Sequence, residues 1–203
     1  MKLLVDTDAF CKLGAAALLS EAALVFSARL PDCGRLPALP HMLRRGGLRR
    51  RFGERVCDAL IPHADAIPTA PAASSVWLDK LIAVEGIDPG EAQLLALSAE
   101  HGLPLLSADK RALRAVKSID ILAAGLAGRA VVLEAILLAL CERLGTSEVG
   151  RRLAAIRGQD TMVDICFSPT NADPREALRS YYKNLAAEVE PLVLWAPAIG
   201  EDS

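Results

Sequence analysis

The chain has 203 residues, enough for one domain with a substantial core and a smaller extension. It is 52% hydrophobic but only 4% aromatic, which excludes an aromatic-rich β-sandwich and calls for a core of Leu, Ala, Val and Ile in helices and parallel strands. A formal net charge of −2 excludes a global field for nucleic acid or an anionic membrane, so such binding would need a local patch.

In chain order, residues 2–6 read as a buried strand, a short apolar run without alternation, ending in "VDTDAF". A helix is predicted from about Asp8 to Ser20 and a second from Glu21 to Leu30. "PDCGRLPALP" reads as loop, with a brief strand near Leu36 to Leu39. "LRRRFGERVCDALI" places Leu48, Phe52, Val56, Ala59 and Leu60 on one helical face. "HADAIPTAPAAS" suits a short strand and a turn, and a helix follows over about Ser74 to Val84.

Asp88 is a good N-cap, Pro89 suits the first helical position, and Leu94, Leu95 and Leu97 supply a buried face. Gly102 ends that helix, with His101 in its last turn, where positive charge is favoured. "LPLLS" is a second buried strand, a further helix starts near Asp109, and "RAVVL" reads as a strand feeding "EAILLALCERLG". From Thr146 onward only helices and loop are predicted, one being "DPREALRSYYKNLAAEV" with Leu178, Tyr181, Leu185 and Val189 at helical spacing. The alternation predicts an α/β fold over residues 1–145, three layers with a mostly parallel sheet. Residues 146–203 form a C-terminal helical extension, packed on that domain or used for a homodimer or partner contact.

The greasiest stretch is broken by Arg129 and Glu134, whereas a membrane span wants ~20 nearly uninterrupted apolar residues. The N-terminus lacks a signal-peptide layout, and Cys11, Cys33, Cys57, Cys141 and Cys166 show no metal-type spacing. A cytoplasmic chain with reduced thiols and no membrane partner is expected.

Open α/β sheets form their sites beyond the carboxyl ends of strands. Asp6 ends the first strand, Asp109 follows "LPLLS", and Glu91 lies in the first turn of the helix leading there, so three carboxylates should meet at one edge. Crowded carboxylates raise each other's pKa unless a cation joins them, and oxygen-only donors suit Mg²⁺ or Mn²⁺. Each acid also has a simpler reading. Asp88-Pro-Gly-Glu91 fits a capping box, and Asp8 and Asp109 fit helix N-caps. Asp6 has no obvious capping task.

On these residues the chain resembles the PIN-domain family, the toxin-type endoribonucleases of bacterial toxin–antitoxin pairs. "VDTDAF" is similar to that family's opening strand and Asp-Thr-Asn turn. "DPGEAQLLALSAEHGLPLLSADKRAL" is similar to its second signature, in the branch carrying Gly-Glu-Ala. The likeness covers roughly residues 1–140 and implies that Asp6, Glu91 and Asp109 are catalytic metal ligands, with Ser107 at the usual Ser/Thr. It further implies Mg²⁺ or Mn²⁺ as cofactor, RNA as substrate and an antitoxin-like protein as partner. One departure stands out: the family usually has another acid on the helix after the second strand, where this chain has Leu43 and Arg44, with Glu54 the nearest carboxylate.

Arg44, Arg45, Arg49, Arg50, Arg51 and Arg55 form a dense cluster. It is either an RNA-phosphate track or the solvated face of an amphipathic helix. Lys110 or Arg111 could steady a substrate backbone, with Asp8 in support, and Tyr182 and Trp195 are candidate base-stacking residues. His41, His63 and His101 have no partner spacing that points to catalysis. The expected function is metal-dependent endoribonuclease. The alternative is a degenerate PIN fold that binds RNA or protein without cutting. A haloacid-dehalogenase-like phosphatase is a weaker third, since "VDTD" resembles an Asp-x-Asp pair but "AF" follows and no late Gly-Asp motif is present.

Overall fold

The structure, a computed structural model, describes residues 1–197. Four short parallel strands form one sheet: β1 (Leu3–Val5), β2 (Cys33–Gly34), β3 (Leu105–Ser107) and β4 (Ala130–Val132), in the order β2-β1-β3-β4. Leu4 pairs with both Gly34 and Leu105, and Leu106 pairs with Val5 and Val131. The protein is therefore α/β with an all-parallel sheet.

Each strand is an apolar run because the sheet is buried on both faces. Leu3, Val5, Leu106 and Val131 point into one core, with the helices Thr7–Ala15, Leu19–Val25 and Leu133–Leu144. Leu4, Leu105, Ala130 and Val132 point into the other, with the helices Pro89–His101, Lys110–Val116 and Asp120–Gly125. The two cores thus follow directly from the period-2 geometry of a strand. β2 lies on one side of β1 and β3 on the other, so the strand order reverses at β1 and β3. The crevice of an open sheet opens beyond the carboxyl ends of the strands at such a reversal.

Several predicted boundaries shift. The first helix stops at Ala15, because Ala17 turns the chain with φ 54°; the next stops at Val25, before Ser27 at φ 51°. The second strand lies at Cys33–Gly34 and not at Leu36–Leu39; Leu39 instead opens the helix Leu39–Arg44, whose first turn takes Pro40. The arginine-rich helix is two helices, Gly47–Phe52 and Glu54–Ala66, divided at Gly53, whose φ of 86° suits glycine. The second of these extends to Ala66, into the start of the predicted strand and turn, and the remainder of that segment has one strand-like bridge, between Thr69 and Arg35.

The C-terminal helices share both cores. Met162, Val163, Cys166 and Leu178 enter the first; Leu185, Val189, Leu192 and Leu194 enter the second. Leu194 also pairs in parallel with Ala130 at the edge of β4. Trp195 packs on Phe26 with ring centroids 5.0 Å apart, and the Tyr182 hydroxyl donates to the Trp195 carbonyl oxygen at 3.3 Å. Both aromatics are thus partly buried and packed against the two cores. All five cysteines are free and buried, and burial pushes the Cys11 thiol up to about 12. Among the described residues, no helix is long and apolar enough to cross a membrane.

Candidate active site

A cleft of about 570 Å³ opens beyond the carboxyl ends of β1 and β3, at the reversal of strand order. Asp6, Glu91 and Asp109 all line it, so the three acids singled out by spacing do share one site. Each reaches it from a helix start. Asp6 is the N-cap of Thr7–Ala15, its Oδ2 accepting from the Asp8 N–H at 3.3 Å. This corrects the expectation that Asp6 had no capping task and that Asp8 was the cap. Glu91 closes the capping box, its Oε2 accepting from the Asp88 N–H at 2.8 Å while Asp88 Oδ1 accepts from Gly90 and Glu91. Asp109 caps Lys110–Val116, its Oδ1 accepting from Arg111 N at 2.7 Å and Ala112 N at 3.1 Å. Ser107, the last residue of β3, accepts from the Asp109 N–H through Oγ at 3.1 Å and so sets that cap.

The simpler capping reading therefore holds for Glu91 and Asp109, yet it leaves them electrostatically unsettled. Glu91 is pushed up to about 8, first by burial and then by its side-chain hydrogen bond with Asp109. Asp109 is held below its ordinary value: burial raises it, but the bond from Glu91 and the N–H groups of Ala112 and Arg111 prevail. The contact between the two carboxyls thus favours a protonated Glu91 beside an ionised Asp109. Burial lifts Asp6 to about 6, and the charges of Asp8 and Asp109 add to the rise. Glu91 Oε1 and Asp109 Oδ2 lie outside the caps, 3.8 and 3.3 Å from the Arg111 guanidinium.

The opposite wall is built differently. Asp8 pairs with Lys12 through Oδ2 at 2.8 Å and with Arg51 through Oδ1 at 2.6 Å. Lys12 also donates to Asp160 Oδ2 at 2.6 Å. Burial would lift Asp160, but the Lys12 bond and charge and the Val163 N–H hold it below its ordinary value. Behind this wall Glu134 is fully buried, and the Lys110 ammonium is its ion-pair partner. Lys110 itself lines the cleft, 5.9 Å from the centre of the Tyr181 ring.

The arginines divide. Arg51 enters the cleft. Arg44 pairs with Asp65 at 3.0 Å and Arg49 with Asp58 at 2.7 Å, so both guanidinium groups are engaged within the fold. Arg45 and Arg50 are exposed. Leu43 is fully buried, and the Glu54 side chain is 80% exposed beside Arg49, outside the cleft. From this part of the chain it is Met42, Leu48 and Arg51 that line the cleft.

Sequence reading missed Lys12, Glu134 and Asp160. Two of them carry a signal. Lys12 is at i+4 from Asp8, and Glu134 is an acid in an otherwise apolar helix. Asp160 is an N-cap in sequence, and only the docking of the C-terminal helices brings it to the cleft.

The donor chemistry fits a hard divalent ion, since the side chains that would hold it are all carboxylates, and the raised Glu91 carboxyl is one that a cation would favour in its ionised form. Among the described residues no three such side chains already converge as a ligand set, so Glu91 and Asp109 would have to turn their outward oxygens together. No protein-family profile, curated protein or solved structure matches the chain.

Proposed function

We propose that the protein is a PIN-like, metal-dependent endoribonuclease that hydrolyses RNA phosphodiester bonds. One observation carries this reading: Asp6, Glu91 and Asp109 line a single cleft at the strand-order reversal, where the side chain and charge of Asp109 help to raise the Glu91 carboxyl. Gathering three partly buried acids around a single arginine, Arg111, is costly, and protonation of one of them lowers that cost in the absence of a further cation. The same carboxylates would hold Mg²⁺ or Mn²⁺, which supplies Lewis acidity toward water and phosphate when bound.

The chain's own residues do the rest. The fixed caps at Asp6, Glu91 and Asp109 preset where each carboxylate stands, because each is tied to the first turn of a helix. Lys110 and Arg111 flank the acids and would take the phosphate oxygens, and Arg51 would meet the strand as it leaves the cleft. Arg45 and Arg50, both exposed, extend positive charge along the neighbouring surface. An antitoxin-like acidic segment would compete for the same cations.

A second reading, a PIN-like module that binds RNA or protein without cutting, draws on Leu43 filling the core where the family pattern has an acid. Cleavage of mixed RNA with Mn²⁺ decides between them, comparing the natural protein with Asp109→Asn. Asn is as good an N-cap as Asp, so the fold should survive. Activity should vanish in the variant and on chelation. Equal cleavage by both proteins would overturn the nuclease reading, and none by either would favour the binding module.

A further inference from the structure

We propose that Lys12 is a built-in cation: its ammonium fills the place between Asp8 and Asp160 that a second divalent ion would otherwise take, so the cleft accepts one such ion and not two. The single ion rests on the metal-dependent reading above, whereas the role of Lys12 rests on the ion network alone.

An oxygen-by-oxygen account carries it. Asp8 Oδ1 faces Arg51 at 2.6 Å and Asp8 Oδ2 faces Lys12 at 2.8 Å. Asp160 Oδ1 accepts from Val163 N at 3.1 Å, and Asp160 Oδ2 from Lys12 at 2.6 Å. Each of the four oxygens thus already faces a cation or an N–H, although Asp8 Oδ1 meets Arg51 as an ion pair and accepts no hydrogen bond. Glu134 is likewise held by Lys110.

Charge gives the same answer. Asp8 and Asp160 against Lys12 and Arg51 sum to zero, two negative charges against two positive. Among the described residues the ion pairs of Asp6, Glu91 and Asp109 are those of Arg111 with Glu91 and Asp109, so the three acids, when ionised, keep two negative charges to be neutralised by one divalent ion.

Lys12 cannot easily be displaced. It is 5% exposed and sits on a helix whose neighbours Ala9, Phe10, Cys11 and Leu13 are all buried. Its ammonium is tethered between the two carboxylates, so it is always present at high local concentration. A free divalent ion must be drawn from solution and shed waters that Mg²⁺ gives up reluctantly. Lys12 also clips the segment carrying Asp160 to the first helix. Reciprocal bonds reinforce the clip: Gln159 Nε2 donates to the Arg51 carbonyl oxygen at 2.7 Å, and Arg51 donates to the Gln159 carbonyl oxygen at 3.4 Å.

Counting Mn²⁺ bound to the full chain by electron paramagnetic resonance tests this. The natural protein should bind one ion. Lys12→Met should bind one more than the natural protein, and Lys12→Arg should return the count to the natural value. A Lys12→Met protein with native circular dichroism and an unchanged count would overturn the proposal, as would two ions in the natural protein. A natural protein that binds none, with one gained in Lys12→Met, would remove the nuclease reading and leave the role of Lys12 standing. If neither Lys12→Met nor the milder Lys12→Gln folds, the natural count decides: two or more overturns the proposal, and no more than one upholds it.

Discussion

The two walls of the cleft use the same acids to opposite ends. On one side Asp6, Glu91 and Asp109 crowd together, and two of them are lifted toward protonation, Asp6 to about 6 and Glu91 to about 8. On the other, Asp8 and Asp160 are interleaved with Lys12 and Arg51, and Asp160 is held below its ordinary value. Burial opposes charge on both sides, so depth does not separate them. The difference lies in whether a cation is covalently part of the fold. A wall whose acids are matched one for one by lysine and arginine is electrostatically complete, and a wall with three acids against Arg111 has negative charge to spare for something from outside.

The strongest way to break that contrast is to strand a carboxylate on the compensated side. Lys110→Met leaves fully buried Glu134 without its counter-ion and should cost about 3–5 kcal/mol in urea unfolding. Adding Glu134→Met should recover most of the loss, since a well-packed apolar pair replaces a buried ion pair at little cost.

The uncompensated wall should show itself in pH. Glu91 ordinarily titrates near 4.5 and here near 8, so the folded protein holds a proton that the unfolded chain has released. Its contribution is complete below pH 4.5 and is lost as pH rises through 8. Asp6 acts in the same direction between 3.8 and about 6. Asp160 acts oppositely, stabilising above the ordinary carboxyl range and losing that effect on acidification. Without added metal, stability should therefore fall by ~2–4 kcal/mol from mildly acidic to mildly basic pH, and Glu91→Gln should flatten the profile. A melting temperature flat across that range in the natural protein would mean that Glu91 is not held protonated beside Asp109.

A smaller effect separates the structural from the chemical duty of Asp109. Asp109→Ala should cost ~1 kcal/mol through the lost cap, while Asp109→Asn should cost a few tenths, both read by thermal melting. The smallest effect belongs to the exposed arginines. Arg45→Ala and Arg50→Ala should each change stability by less than ~0.5 kcal/mol. If they track phosphates, each should lower the salt slope of RNA binding by about 1, measured by fluorescence anisotropy.

The apolar runs at β1, β3 and β4, the cap at Asp88 and the stop at Gly102 were legible in sequence, because each is written in adjacent residues. So was the gathering of Asp6, Glu91 and Asp109, which follows from acids placed just beyond parallel strands. The split at Gly53 was legible in principle, but the continuous apolar face across it suggested one helix. The capping role of Asp6 was hidden because Asp8, two residues on, is an equally good cap on paper, and ion pairs with Lys12 and Arg51 decided between them.

Sequence alone determined that the runs at β1, β3 and β4 become buried strands and which acids stand beyond β1 and β3, since both depend on neighbours within one turn or one pleat; the place of β2 was not legible in this way. Only the tertiary structure decided which acids are neutralised. That depends on contacts such as Lys12 with Asp160, which lie 148 residues apart. Electrostatic energy depends on distance through space, and nothing in local spacing encodes which distant cation will be folded against a given carboxylate.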